Sequence, residues 1–422
     1  MRNFFCGLDF GTSNSTVACA LAQGPALVPV EAEKVTIPSS IFFDFEDGSA
    51  SFGRAALRSY VEGVDGRLMR SLKSVLGHPL LDETVRIKRK AYTYGDIIGL
   101  LVGHLKRKAD AAAGADVTHV VMGRPVRFVD DDAAADAKAQ NALERIARAQ
   151  GFAHVEFQYE PIAAALDYEQ TVAQEEYALI ADIGGGTSDF SIVRVSPQGR
   201  AKSDRGDDVL ANQGVHIGGT DFDRLLSMKA VMPHFGLASE TKSHFGGKIL
   251  PVPNGYFVDL ATWHRINLLY APEITRELID LEKRSLSPER LRRLRGVIEA
   301  RLGHSVALAV EAAKIALSDE EAGVVDLAEI EEGLTIEMSR GTLREAVGSR
   351  LASLRAASAE TLRQAGLAAE RIDAIFLTGG STAIPAVRAA VTAIAPRARI
   401  VEGDMFGSVG LGLGLDAARR FG

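Results

Sequence analysis

Two apolar runs open the chain, residues 3–9 and 15–22, with the polar turn "DFGTSN" between them. Runs this short, bounded by a glycine bend, predict two strands joined as a hairpin. "PALVPVEA" predicts a further strand on the same sheet. From 92 to 113 the spacing changes, and "YTYGDIIGLLVGHLKRKADAAA" carries an apolar stripe at helical period. "THVVMGRPV" (118–126) reads as a buried strand. "DDDAAADAKAQNALERIARAQGF" reads as a helix whose acidic start suits the positive end of the helix dipole. Residues 176–195 repeat the hairpin pattern, with "ADIGGGTSDFSIV" at 181–193. The stretch 224–310 is charge-rich and reads as mostly helical. A long helix, "MSRGTLREAVGSRLASLRAASAETLRQAGL", the strand "AIFLTGG", the helix "STAIPAVRAAVTAI" and the small-residue helix "FGSVGLGLGLDAARRFG" complete the order.

Both halves therefore run hairpin first, connecting elements next, strand and helix last. An internal duplication of this kind decides architecture. It predicts two α/β lobes facing each other across a cleft, with a ligand beyond the strand ends where connections diverge. One acidic, glycine-turned hairpin from each lobe would grip that ligand.

Composition narrows the classes. A chain of 422 residues suits two large lobes, and 46% hydrophobic with 24% charged residues is ordinary for a globular protein. A net charge of −7 argues against a general nucleic-acid surface. No apolar run is long enough for a membrane span. Asp9 and the glycines interrupt the apolar core that a signal peptide needs, so a cytoplasmic protein is expected. Cys6 and Cys19 fit strand interiors as buried free thiols. The arginine-rich "RLRRLRGVIEARLGH" has glutamates around and within it and reads as a solvated helix face.

The hairpin residues carry a definite chemistry. A polyphosphate needs close backbone N–H donors, which glycines at 11, 184, 185 and 186 allow. Thr12, Ser13, Thr187 and Ser188 add hydroxyls. Carboxylates beside phosphate repel it unless a cation intervenes, so Asp9 and Asp182 imply Mg²⁺ held through water.

"GLDFGTSNSTVA", "ADIGGGTSDFSIV" and "FLTGGSTAIPAVRAAV" resemble the two phosphate motifs and the adenosine motif of the actin, hexokinase and heat-shock chaperone ATPase superfamily. The chain is most similar to the DnaK-type heat-shock chaperones, through "SLKSVLG" (71–77), "YEPIAAAL" (159–166), "HIGGTDFD" (216–223) and "VEAAKIALS" (310–318). The resemblance implies a two-lobed actin-like ATPase fold, with duplicated ribonuclease H-like domains around a central nucleotide cleft. The first lobe would be 1–175, with an inserted subdomain at about 36–115; the second would be 176–422, with an enlarged subdomain at about 224–310. The C-terminal helix 405–422 would pack back on the first lobe.

By the same resemblance, Lys73, Glu160, Asp182 and Thr187 take the catalytic places, and Asp9, Asp182 and Asp189 the Mg²⁺ places. Lys73 would reach the transferring phosphate and Glu160 would lie near the attacking water, its conformation restricted by Pro161. ATP or ADP would lie against Gly11, Thr12, Ser13 and Asn14, and against Gly184, Gly185, Gly186 and Thr187. Its nucleoside end would meet Gly218, Gly219, Glu311, Lys314, Ser318, Gly379, Gly380 and Ser381. Glu311, Lys314 and Ser318 share one helix face.

The departures from the family pattern are informative. Ile315 and Ala383 stand where two arginines usually clamp the adenine ring, so weaker or less base-selective binding is expected. The family's peptide-binding domain is not expected, because the sequence ends at "AARRFG"; this resembles the YegD-like branch of putative chaperones. The stretch before "VEAAKIALS" is about twice the family's usual length, and its aromatic part, including Trp263, suggests a protein partner or client surface at 236–270. The reading is thus a slowly hydrolysing ATPase that works as a conformational switch. A nucleotide-binding scaffold without turnover and a small-molecule kinase on the same fold remain as alternatives.

Overall fold

The computed structural model describes residues 4–21, 24–129, 132–202, 204–243, 247–402 and 407–422. Asp130 and Asp131, residues 244–246 of the proposed partner region and residues 405–406 of the terminal helix lie outside the described residues. The chain forms two compact units: Met1–His216, Leu354–Thr382 and Ala389–Gly422 make the first, and Ile217–Ser353 with Ala383–Arg388 the second.

The first unit holds both large sheets, and their topologies match. In one, the order is His154–Tyr159, His119–Arg124, Phe5–Phe10, Asn14–Leu21, Gly24–Leu27, with Thr36–Pro38 also on Asn14–Leu21. In the other, it is Arg399–Glu402, Ala374–Thr378, Glu176–Ile183, Ser188–Val195, Val209–Val215. Each hairpin strand pairs antiparallel, and each later strand adds in parallel beside the first. The duplication read from the sequence is therefore a duplication of strand order and direction. The expected strand "PALVPVEA" forms over Gly24–Leu27.

Helices cover the sheets. Tyr94–Ala113 is fixed at its start by a reciprocal cap, in which Asp96 N–H donates to Thr93 Oγ1 at 3.0 Å and Thr93 N–H to Asp96 Oδ2 at 2.8 Å. Ala133–Ala149 begins at Asp132, whose Oδ1 accepts from the N–H groups of Ala134 and Ala135. Glu160–Glu169 follows the last strand of the first sheet, and Ser408–Phe421 follows the last strand of the second. The two helices pack on one another, and Gly412 makes this possible: a Cβ there would lie 2.6 Å from the Ala163 carbonyl carbon. Ser408–Phe421 packs on Phe5–Phe10 and Asn14–Leu21 of the first sheet, and Glu160–Glu169 packs on Ser188–Val195 of the second. Leu8, Val17 and Ile98 lie in one apolar core of this unit, and Ile162, Ile180 and Leu413 in another.

The second unit is mostly helical, as expected for 224–310, but it includes the small hairpin Glu240–Lys242 and Ile249–Pro251. The arginine-rich run lies largely on the helix Pro288–Glu299, where Arg292 and Arg295 pair with Glu282, and Arg293 with Glu331. Among the described residues no helix is long and apolar enough to cross a membrane. Cys6 and Cys19 are free, buried and directly opposite each other across the first hairpin. Burial holds the Cys6 thiol well above its ordinary range and pushes Cys19 up to about 12.

Candidate functional site

In the first hairpin, Asp9 stands one residue before the end of Phe5–Phe10, opposite Thr16. Its turn is held from outside by Ser39, a buried residue that sequence reasoning did not single out. Ser39 Oγ donates to the Gly11 carbonyl at 2.6 Å, and Ser39 N–H donates to the Ser13 carbonyl at 2.8 Å. Ser15 Oγ lies 2.9 Å from Ser39 Oγ.

The second hairpin places Asp182 opposite Asp189, with Thr378 beside Asp182 on the parallel neighbour. Its turn closes when Gly184 N–H donates to the Thr187 carbonyl at 2.9 Å. The two turns touch: a Cβ on Gly185 would lie 3.2 Å from Ser13 Cβ. Gly379 has φ of +81°, and a Cβ there would lie 2.6 Å from Asp182 Oδ1. Glycine is thus required both by the backbone and by the approach to the carboxylate. Ser381 Oγ donates to the Gly184 carbonyl at 3.0 Å. The residues expected at the phosphate end are therefore contiguous within one unit.

Lys73 joins them from a distant part of the sequence. It lies on the short 3₁₀ turn Leu72–Val75, behind Ser71 in the left-handed region (φ 55°). The lysine is 9% exposed, and its ammonium pairs with the Glu160 carboxylate. Glu160 is the first residue of Glu160–Glu169, and Pro161 at the next position suits a helix start. Gly123, also not singled out by sequence, fits between the carboxylates, since a Cβ there would lie 3.3 Å from Glu160 Cγ and 3.5 Å from Asp9 Oδ1. Glu160, Asp182 and Asp189 border one cavity, with Val126, Ile180 and Val409 in its wall.

The charges of this group do not balance. Burial raises the pKa of Asp9 most and Glu160 adds to it; Lys73 opposes and Asp182 adds again, leaving the carboxyl at about 7. Burial, then Asp189 and Glu160, push Asp182 to about 7 against the pull of Lys73. Burial works to lower the pKa of Lys73, but Glu160, Asp9 and Asp182 outweigh it and raise the value above normal. Three carboxylates, those of Glu160, Asp9 and Asp182, thus share one ammonium. Among the described residues no three His, Cys, Asp or Glu side chains are arranged to hold a metal ion by themselves. Carboxylate oxygens are donors that suit Mg²⁺, whose own waters would complete its shell.

Gly380 lies in the first unit, and the second unit carries Gly218, Gly219, Glu311, Lys314 and Ser318. Gly218 and Gly219 open the helix Gly219–Leu226. On the helix Gly303–Asp319, Lys314 is buried and its Nζ lies 2.7 Å from Asp223 and 3.3 Å from the Gly219 carbonyl. Glu311 is exposed and Ile315 is 58% exposed, so the motif face runs from a buried edge at Lys314 to an open one at Ile315. The Ser318 carbonyl accepts from Arg340 Nη2 at 2.8 Å.

A doubled strand order with acidic, glycine-turned hairpins at matching places defines an α/β protein of the actin-like, two-lobed ATPase fold class. The chain belongs to the Hsp70 family: the family described as Hsp70 protein matches residues 5–240 and 299–404. At that level it is a chaperone-like nucleotide-binding ATPase.

Proposed function

We propose that the chain hydrolyses ATP slowly, with Mg²⁺, and uses the nucleotide state as a conformational switch that acts on a protein client. The observation that carries this reading is the buried Lys73, paired with the part-buried Glu160 and set against Asp9 and Asp182, one carboxylate from each hairpin. Asp9, Asp182 and Asp189 would hold Mg²⁺ through its waters, and the ion would neutralise phosphate charge. Backbone N–H groups around Gly11–Asn14 and Gly184–Thr187 would bind the phosphate chain. Lys73 would stabilise charge on the phosphoryl group, Thr187 would donate to it, and Glu160 would orient water. Pairing with Glu160 keeps the Lys73 ammonium in place before substrate arrives.

The lobes 1–175 and 176–422 are proposed on the same ground, since each range contains every strand of one large sheet. Glu311, Lys314, Ser318, Gly218 and Gly219, with Gly379, Gly380 and Ser381, are assigned to the nucleoside end. The client surface is assigned to 236–270, where Ile249, Leu250 and Leu268 are exposed apolar residues. Deleting 236–270 without changing any client binding would remove that assignment. A cytoplasmic location is part of the same reading.

Phosphate release from ATP and Mg²⁺, with no added acceptor, tests the proposal. Slow release that stops without Mg²⁺ is the expected result. ATP binding with no release would favour a nucleotide-binding scaffold or a kinase that requires an acceptor.

A further inference from the structure

Residues 241–298 lie between the two ranges matched by the Hsp70 family, with four residues between them and the helix Gly303–Asp319 that carries Glu311, Lys314 and Ser318. A helix start leaves its first backbone N–H groups without intrahelical acceptors. Leu302, at the capping position here, has no side chain to supply one. The acceptor comes from 33 positions upstream: Gly303 N–H donates to the Tyr270 hydroxyl oxygen at 3.2 Å. At the next residue, the His304 ring stands edge-on to Trp263 with centroids 4.7 Å apart, and His304 Nε2 lies 3.3 Å from the Trp263 carbonyl. The Arg301 guanidinium lies 5.7 Å from the centre of the Tyr270 ring. Gly303 has no room for a side chain, because a Cβ would lie 2.5 Å from Ile266 Cγ2 and 3.1 Å from Leu260 Cδ1. Leu260 and Ile266 are themselves fully buried.

We propose that this inserted segment is a positioning element for nucleoside binding, with the Tyr270 hydroxyl and the Trp263–His304 contact fixing the start of the motif helix. The other end is already fixed, since Arg340 donates to the Leu317 and Ser318 carbonyls at 2.9 and 2.8 Å. With both ends held, the rotation of the helix sets where Glu311, Lys314 and Ser318 point. The inference rests on the assignment of those residues to the nucleoside. It makes a distinction that assignment alone does not, because the contacts at Tyr270, Trp263 and His304 fix the helix assigned to the nucleoside and not the hairpins assigned to the phosphates.

The test compares Mg–ATP with Mg–tripolyphosphate, which shares the phosphate chain and lacks the nucleoside. Tyr270→Phe removes only the capping oxygen. It should weaken Mg–ATP binding about fivefold, the scale of one lost hydrogen bond, and leave tripolyphosphate affinity unchanged. Trp263 is the only tryptophan, so emission from the wild-type chain reports the contact directly. Emission should change on adding Mg–ATP and not on adding Mg–tripolyphosphate, and His304→Ala should abolish the change. Equal losses for both ligands, no loss for either, or unmoved Trp263 emission with ATP bound would each overturn the inference alone. Absence of ATP binding to the wild-type chain would sink the nucleotide reading and this inference with it.

Discussion

Asp182 and Asp189 are directly opposed residues on the antiparallel strands Glu176–Ile183 and Ser188–Val195, at the mouth of the second hairpin. Like charges in that relationship destabilise a strand pair. In the first hairpin the position opposite Asp9 is Thr16, so the two hairpins share their shape but not their charge. A cation would relieve the second hairpin more than the first. Asp182→Asn should therefore raise the thermal stability of the metal-free protein above neutral pH while weakening Mg–ATP binding about 10–100-fold. Thermal melts with and without Mg–ATP read both effects, and loss of stability in the metal-free variant would count against the proposed strain.

The raised pKa values of Asp9 and Asp182, each at about 7, give a sign to the pH dependence. A carboxyl whose folded pKa exceeds its unfolded value near 4 stabilises the fold at low pH, and that contribution is lost as pH rises through about 7. The nucleotide-free protein should lose melting temperature between pH 5 and pH 8. A double variant carrying Asp9→Asn and Asp182→Asn should lose less. Binding of Mg–ATP at pH 6 to 7 should release protons, seen in calorimetry as a binding enthalpy that varies with the buffer's heat of ionisation. A buffer-independent enthalpy would contradict the assignment of Mg²⁺ to these carboxylates.

Gly379 combines a left-handed backbone with close approach to Asp182 and the Ile183 carbonyl. Gly379→Ala should destabilise the protein by about 1–3 kcal/mol and displace Asp182, so nucleotide affinity should fall with stability. Gly186, by contrast, has open space where a Cβ would lie. Gly186→Ala should leave the melting temperature close to wild type, which makes it the control for stability.

Ile315 is 58% exposed at the open edge of the motif face on Gly303–Asp319. An apolar side chain offers contact to any base but no cation–π attraction. Ile315→Arg should gain about 0.5–2 kcal/mol in ATP binding. Competition between ATP and GTP should show little preference in the wild-type chain and a larger one in the variant. Strong wild-type selectivity would contradict the role given to this position.

Much of this site was legible in the sequence because its chemistry is local. An aspartate, a glycine turn and hydroxyls between two apolar runs specify an acidic, glycine-turned hairpin, and finding the pattern twice implied the duplicated sheets. Lys73 was legible only through its motif. By itself it reads as a solvated lysine, whereas it is buried on a short 3₁₀ turn that follows a left-handed serine. Ser39 and Gly123 left no signal. Ser39 acts through the backbone carbonyl of Gly11 and the N–H it donates to Ser13, and Gly123 acts by lacking a side chain beside Glu160 and Asp9. The Tyr270 cap was also hidden, since nothing in the local pattern tells a buried aromatic from one that accepts a distant helix N–H.

Lys73 and Glu160 are proposed as the working core of a hydrolytic site. Single-turnover hydrolysis of ATP with Mg²⁺, comparing wild type with Lys73→Ala, tests it most directly. Slow wild-type turnover, a loss of about 10²–10³-fold in the variant, and ATP binding retained in both are expected. Equal hydrolysis by the two proteins, or none by either while both bind ATP, would contradict it.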